Sequence, residues 1–458
     1  MNLTTNGQRM ARAILLGVLV TALLAMGLSE AVAGIEQASP AADAPSSIMS
    51  PAVVSDWPQL QHDPQRTGYS PEVLGTNFRV VWTRPFQPEK IYPQVQSIIY
   101  NGKVYVGTEM GSLYALDAAT GAQAWRYYVG SPILASVAAG NGKVYFGAMD
   151  GAVYALDANT GALAWKATLS WRRGFSTAPV LADNKVMLGG RNGIFYGLDA
   201  NTGAVLWQYN VGSPILQSAA WNNGRAFFGA MNMRVYAINT TNGSLAWQSA
   251  ELKAAKDVNG TAMVGMAFKD YWPVVHQGKV IVRPMGAGSV TDLTAYQANP
   301  NAYPKTMFVF DEATGAETTV IHYDTPTMHG AVTPPCVDRY GTLVVPIGGW
   351  STVTWGRLSL SAKTIVDSFT TRHNNGDENE NVSCSSNLIF IFHTRGGSGA
   401  AINGVFNLDT RTWTEISGGG TNWEMSNNTQ GGGGGPVSIS NGLFYHIGYH
   451  ELIVRSTQ

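Results

Sequence analysis

Several clusters of side chains have the types that recognise or transform small molecules. Trp171-Arg172-Arg173, Lys269-Asp270-Tyr271-Trp272, the stretch from His322 to His329 and the stretch from His373 to Glu380 set aromatic rings beside guanidinium, imidazole or carboxylate groups. Tyr92, Gln94 and the pair Trp423-Glu424 add to them. Such mixtures suit a sugar, a peptide or an aromatic ring, through stacking and cation–π contact. The same residues would serve equally as solvated loops with aromatics packed on a rim, and both readings stay open. Other patterns read more plainly. Asp377-Glu378-Asn379-Glu380 offers oxygen ligands to Ca2+ but lacks the longer loop pattern of a dedicated calcium site, so it reads as an exposed charged loop. His446 and His450 have ligand spacing only on a helix, and they fall across a strand and a turn. Gly431 to Gly435 is followed by neither a Lys-Ser/Thr pair nor a helix, so it is no phosphate cradle. No metal site is expected.

The chain that carries these residues has 458 positions, a formal net charge of −1 and only 13% charged residues. With no basic excess to neutralise phosphates, a nucleic-acid partner is not expected. Hydrophobic residues make up 45% of the chain, enough for a large core, and 52 Gly with 21 Pro demand many turns. Arg9 and Arg12, an uncharged run over residues 13–29 and the small-residue site Ala31-Val32-Ala33 fit a secretory signal peptide over 1–33; a retained anchor is the alternative. After cleavage no transmembrane segment is expected, and no cysteine near the site could take a lipid. Residues 34–56, rich in Ala, Ser and Pro, read as a flexible linker. The mature protein is therefore expected outside the cytoplasm, secreted or periplasmic.

Self-similarity decides the architecture. Asp117-x-x-Thr120-Gly121-x-x-x-Trp125, Asp157-x-x-Thr160-Gly161-x-x-x-Trp165 and Asp199-x-x-Thr202-Gly203-x-x-x-Trp207 superpose, and Asn239-x-x-Asn242-Gly243-x-x-x-Trp247 keeps the spacing. The tryptophans step by 40, 42 and 40 residues. Each unit holds runs with strand character, such as Lys143–Gly147, broken by Asn-Gly, Asp-Gly and Thr-Gly turns. With the preceding Pro132-Ile-Leu-Ala-Ser-Val137 as inner strand, each unit has four short antiparallel strands, which is a propeller blade. Weaker copies place further outer strands at Trp82, Thr319, Phe369 and Trp413. The fold expected is an all-β, eight-bladed propeller over 57–458, with the strand at Trp82 completing the last blade near Val454; seven blades is the alternative. Lys253–Met266 and Gly286–Lys305 read as insertions in blade five. Cys336 and Cys384 then fall near the inner strands of neighbouring blades, where they are either a blade-to-blade disulfide or two buried thiols.

The Ala-x-Asp-x-x-Thr-Gly-x-x-x-Trp repeat resembles the tryptophan-docking repeat of the pyrroloquinoline quinone (PQQ)-like propeller superfamily, and the segment from Asp56 to Gly68 looks like its lead-in. The resemblance implies the fold but several functions. Quinoprotein dehydrogenases of this superfamily stack PQQ on a disulfide between adjacent cysteines and hold Ca2+; here the cysteines are 48 positions apart. The reading adopted is a secreted binding or scaffolding module with no cofactor and no catalytic residue, taking a protein or saccharide partner at the channel mouth through Trp171, Arg172, Arg173, Asp270, Trp272, His329, Glu378 and Trp423. The alternatives are a PQQ- and Ca2+-dependent dehydrogenase of alcohols or sugars with Asp270 or Asp377 as base, and a self-assembling or surface-attached protein.

Overall fold

The computed structural model describes residues 55–457 apart from 171–172, 253–266, 285–306, 319–333, 349–351, 373–379, 394–402, 417–434 and 449. The leader-like residues 1–33, most of the linker and the two insertions in blade five lie outside the described residues, as does Thr319. Every regular element described is a strand, and none of the described residues forms a helix long and apolar enough to cross a membrane.

Blade two, formed by Ala138–Gly140, Lys143–Gly147, Ala152–Asp157 and Leu163–Thr168, shows why the repeat folds as it does. Its two middle strands are buried along almost their whole length, because neighbouring blades cover both faces. Asn141 and Gly142 take φ of 52° and 71°, the two-residue turn that Asn-Gly favours between twisted strands. At the outer turn, Asp157 Oδ1 accepts from the amides of Asn159 and Thr160 and from the Thr160 hydroxyl at 2.8–3.0 Å. Those donors hold its carboxyl below the usual range, the Thr160 amide first. A bulge between Ala155 and Leu156 then puts two exposed residues in succession before Trp165 and turns the indole inward.

Five outer-strand indoles cross to the next blade. Trp165 Nε1 donates to Ala200 O at 3.0 Å, and a Cβ on Gly203 would lie 2.5 Å from its ring. Trp82 meets Ala118 O and Gly121 in the same way, Trp125 meets Ala158 O and Gly161, Trp207 meets Thr240 O and Gly243, and Trp247 meets Glu312 O and Gly315. Five consecutive seams therefore share one device. Only glycine suits the receiving position, where a positive φ and a flat aromatic face coincide.

The strands form eight antiparallel sheets, six of four strands and two of three. Isolated bridges Phe310–Glu317 and Val337–Leu343 mark the missing outer strand of blade five and inner strand of blade six, so the molecule is an eight-bladed β-propeller. Closure comes from Arg79–Pro85, which pairs with Glu451–Ser456 and sets Trp82 opposite Val454. The inner strand of blade two differs from the sequence expectation: it is Ala138–Gly140, not Pro132–Val137. In the earlier stretch Ile133 N bonds Thr108 O and Ser136 Oγ accepts from Gln96 N, so its polar groups serve the neighbouring blade instead of its own ladder. Asp56 Oδ1 accepts from Asn101 N at 3.0 Å.

Candidate functional site

One end of the axis is closed by the chain itself. From Trp57 onward the lead-in segment runs once around the inner strands and bonds each blade in turn. Trp57 pairs with Ile99 of blade one, Pro58 O accepts from Ala139 of blade two, and the Gln59 side chain pairs with Leu181 of blade three. Pro64 O then accepts from Trp221, Gln65 O from Val275, Thr67 O from Val337 and Gly68 O from Cys384, at 2.7–2.9 Å. Glu72 completes the lap, its carboxylate accepting from the amides of Asn441 and Gly442 in blade eight at 3.0 and 2.7 Å. Inner strands converging on an axis would otherwise leave amide edges without partners, and the segment satisfies them.

Arg66 anchors this lap. Fully buried, it donates from Nε to Ala219 O, from Nη1 to Leu60 O and from Nη2 to Pro179 O at 2.7–2.9 Å. Burial pushes its pKa down, and those carbonyl oxygens hold the guanidinium in place. Gln61, His62 and Arg66 have φ of 55°, 74° and 63°, so the segment turns sharply at each. Its sequence marks it as a lead-in and assigns it no role. Its three prolines, Pro58, Pro64 and Pro71, which donate no amide, are the available signal.

At the other end of the inner strands, their approach segments enclose a pocket floored by Leu60 and Trp272, with about 270 Å³ of empty space including its open mouth. Tyr92, Gln94, Ser136, Ser176, Ser218 and Asp270 supply its polar groups. Tyr92 OH donates to Asp270 Oδ1 at 3.2 Å, and Lys269 Nζ lies 3.8 Å from Asp270 Oδ2. Burial raises the Asp270 carboxyl above its usual range, against the pull of Lys269, Tyr92 and Arg191. Tyr92 is pushed up as well, by burial first and then by Asp270. The hydroxyls of Ser136 and Ser218 are committed to the amides of Gln96 and Ala178. Gln94 Oε1 and Trp272 Nε1 are buried without a partner among the described residues.

Of the residues singled out from sequence, Asp270 and Trp272 thus come together with Tyr92 and Gln94. Arg173 is exposed on a turn and does not line the pocket. Trp171, Arg172, His329, Glu378 and Trp423 lie outside the described residues, as do Asp377 and the glycines before Gly435. Cys336 and Cys384 form a disulfide between blades six and seven, with Cα atoms 6.0 Å apart. His446 and His450 serve separate purposes. His446 is buried with its ring centroid 4.6 Å from that of Phe392, while His450 Nδ1 sits 2.9 Å from Glu89 O. No group of three or more His, Cys, Asp or Glu side chains suited to a metal occurs among the described residues.

This geometry defines a protein class. The family model described as outer membrane protein assembly factor BamB matches residues 79–215 and 109–324, together more than half of the chain. The chain belongs to this family of PQQ-like propellers. Among solved structures, BamB from Moraxella catarrhalis is similar with a TM-score of 0.56 at 15% identity, covering 83% of this chain and 99% of that one. Quinohemoprotein alcohol dehydrogenase ADHIIG from Pseudomonas putida HK5 has a TM-score of 0.60 at 14% identity, covering 88% and 80%. The quinohemoprotein alcohol dehydrogenase from Comamonas testosteroni has 0.62 at 13% identity, covering 88% and 80%. Identities this low establish the shared fold only. No curated protein matches the sequence.

Proposed function

We propose that this protein is a non-catalytic binding or scaffolding propeller that works outside the cytoplasm on a protein partner. The observation that carries the reading is the lead-in lap: the chain itself fills one end of the axis and bonds all eight blades, leaving a small pocket at the other end. A rigid wheel with its hub occupied suits presentation of loops and rims to another macromolecule. The family description, an outer membrane assembly factor, supports a protein partner and an extracytoplasmic setting.

The quinoprotein reading has one favourable feature, the pairing of Trp272 with Asp270 at the pocket. The rest of the donor set does not fit PQQ, a tricarboxylate. Among the described lining residues there is no Lys or Arg; the cations beside the pocket, Lys269 and Arg191, already act on Asp270, and no second carboxylate lines the pocket with it to hold a hard cation. The disulfide joins neighbouring blades rather than adjacent residues, so it forms no small ring for the quinone to stack on. Incubation with PQQ and Ca2+ tests the choice. Neither stoichiometric uptake nor dye-linked oxidation of alcohols or sugars is expected, and tight uptake with turnover would overturn the proposal.

A further inference from the structure

The seam between blades six and seven is built differently from the five that share the indole device. Where an indole would lie, Phe369 stacks on Phe406, with centroids 3.9 Å apart and planes at 7°. Arg411 reaches back to pair with Asp367, and Arg339 pairs with Asp409. At least one side chain of each pair is more than two-fifths exposed, where screening leaves an ion pair little holding strength. At the inner end the same seam carries the Cys336–Cys384 bond, the only disulfide the chain's two cysteines can form.

That bond is wholly buried, and the lead-in segment lies across it. Thr67 O accepts from Val337 N on one side, Gly68 O accepts from Cys384 N on the other, and Ser70 N donates to Cys384 O. A Cβ on Gly68 would come within 3.2 Å of Cys336 Cβ. Lead-in and disulfide therefore hold one place in the wheel from two directions.

We propose that the Cys336–Cys384 disulfide latches a redox-sensitive seam: its reduction opens the propeller between blades six and seven and frees the lead-in from blades six to eight, while blades one to four stay closed. A dithiol such as dithiothreitol supplies the two electrons and two protons. The S–S bond breaks, two thiols form, and the reductant closes to its own cyclic disulfide. An oxidising compartment keeps the latch shut.

Amide hydrogen exchange by mass spectrometry on the full chain, with and without dithiothreitol, reads the outcome, and alkylation counts the thiols. With both thiols titrated, exchange is expected to rise by about tenfold or more in Leu343–Gly348, Glu380–Cys384, Leu388–His393 and residues 66–72. It should not change in Lys143–Gly147 or Lys185–Gly189. A rise spread evenly over all blades, or no rise after full alkylation, would overturn the proposal. If dithiothreitol leaves the buried bond intact, the double variant Cys336→Ser/Cys384→Ser takes its place: a locally open seam supports the latch and an unchanged seam refutes it. Should that variant not fold, reduction of the wild type in rising denaturant decides. Seam exchange that precedes global unfolding supports the latch, and thiols that appear only with global unfolding refute it.

Discussion

Gly121 and Gly102 share nearly the same backbone, φ of 72° and 70°, in different surroundings. A Cβ on Gly121 would lie 2.6 Å from the Trp82 ring, whereas nothing stands within 4 Å of one on Gly102. Gly102→Ala should therefore cost about 1 kcal/mol, for the positive φ alone, and Gly121→Ala about 3 kcal/mol, because the indole must move as well. Urea denaturation compares them, and equal losses would mean that the indole contact does not constrain the seam. His446 makes a prediction in pH. Burial, with Arg455 adding to it, pushes its pKa from 6.5 down to about 3. The unfolded chain therefore takes up a proton that the folded one refuses. Its contribution is complete above about pH 6.5 and is lost as pH falls toward about 3. His446→Gln should lose less stability than the wild type between about pH 7 and about pH 4. At this scale the sequence was legible where a residue acts on near neighbours, as Asp157 does on Thr160. Nothing near His446 in sequence announced its burial beside Phe392.

The lead-in segment behaves as an element although it forms no regular strand. Its anchor, Arg66, spans carbonyl oxygens of blades three and four and of the segment itself. Arg66→Met should cost about 3 kcal/mol through carbonyls left without donors. Arg66→Lys should recover little, since an ammonium cannot reach oxygens placed for a guanidinium fork. Denaturant midpoints measure both, and a lysine variant as stable as the wild type would argue that charge, not geometry, is what matters. The blades could be read from sequence because each is built from about forty consecutive residues whose turns and Trp repeat. The lap around the axis could not. Its partners run from Ile99 to Gly442 and share only their position at the hub, a relation that no spacing encodes.

Closure is a property of the whole wheel. Trp82 and Trp165 make matching contacts, each with a carbonyl and a glycine of the next blade, so replacing either with Ala should cost a similar ~3 kcal/mol or more. They should differ in association. Trp82 lies on the strand that joins the two ends of the chain, opposite Val454, and loosening it exposes strand edges that can pair with another molecule. Sedimentation velocity should detect oligomers for Trp82→Ala and monomers for Trp165→Ala, and identical profiles would deny the closing strand a special place. By itself the sequence determined the repeat and the strand that completes the circle, and it pointed to eight blades with seven as the alternative, because periodic turns and indoles act through local bonds and nearest neighbours. Only the tertiary structure decided that the hub is filled by the chain's own lead-in, that Asp270 and Trp272 meet Tyr92 and Gln94, and that the seam where Phe369 takes the outer-strand position carries the disulfide. Those contacts form where distant segments converge on one axis, and convergence appears only when the wheel has closed.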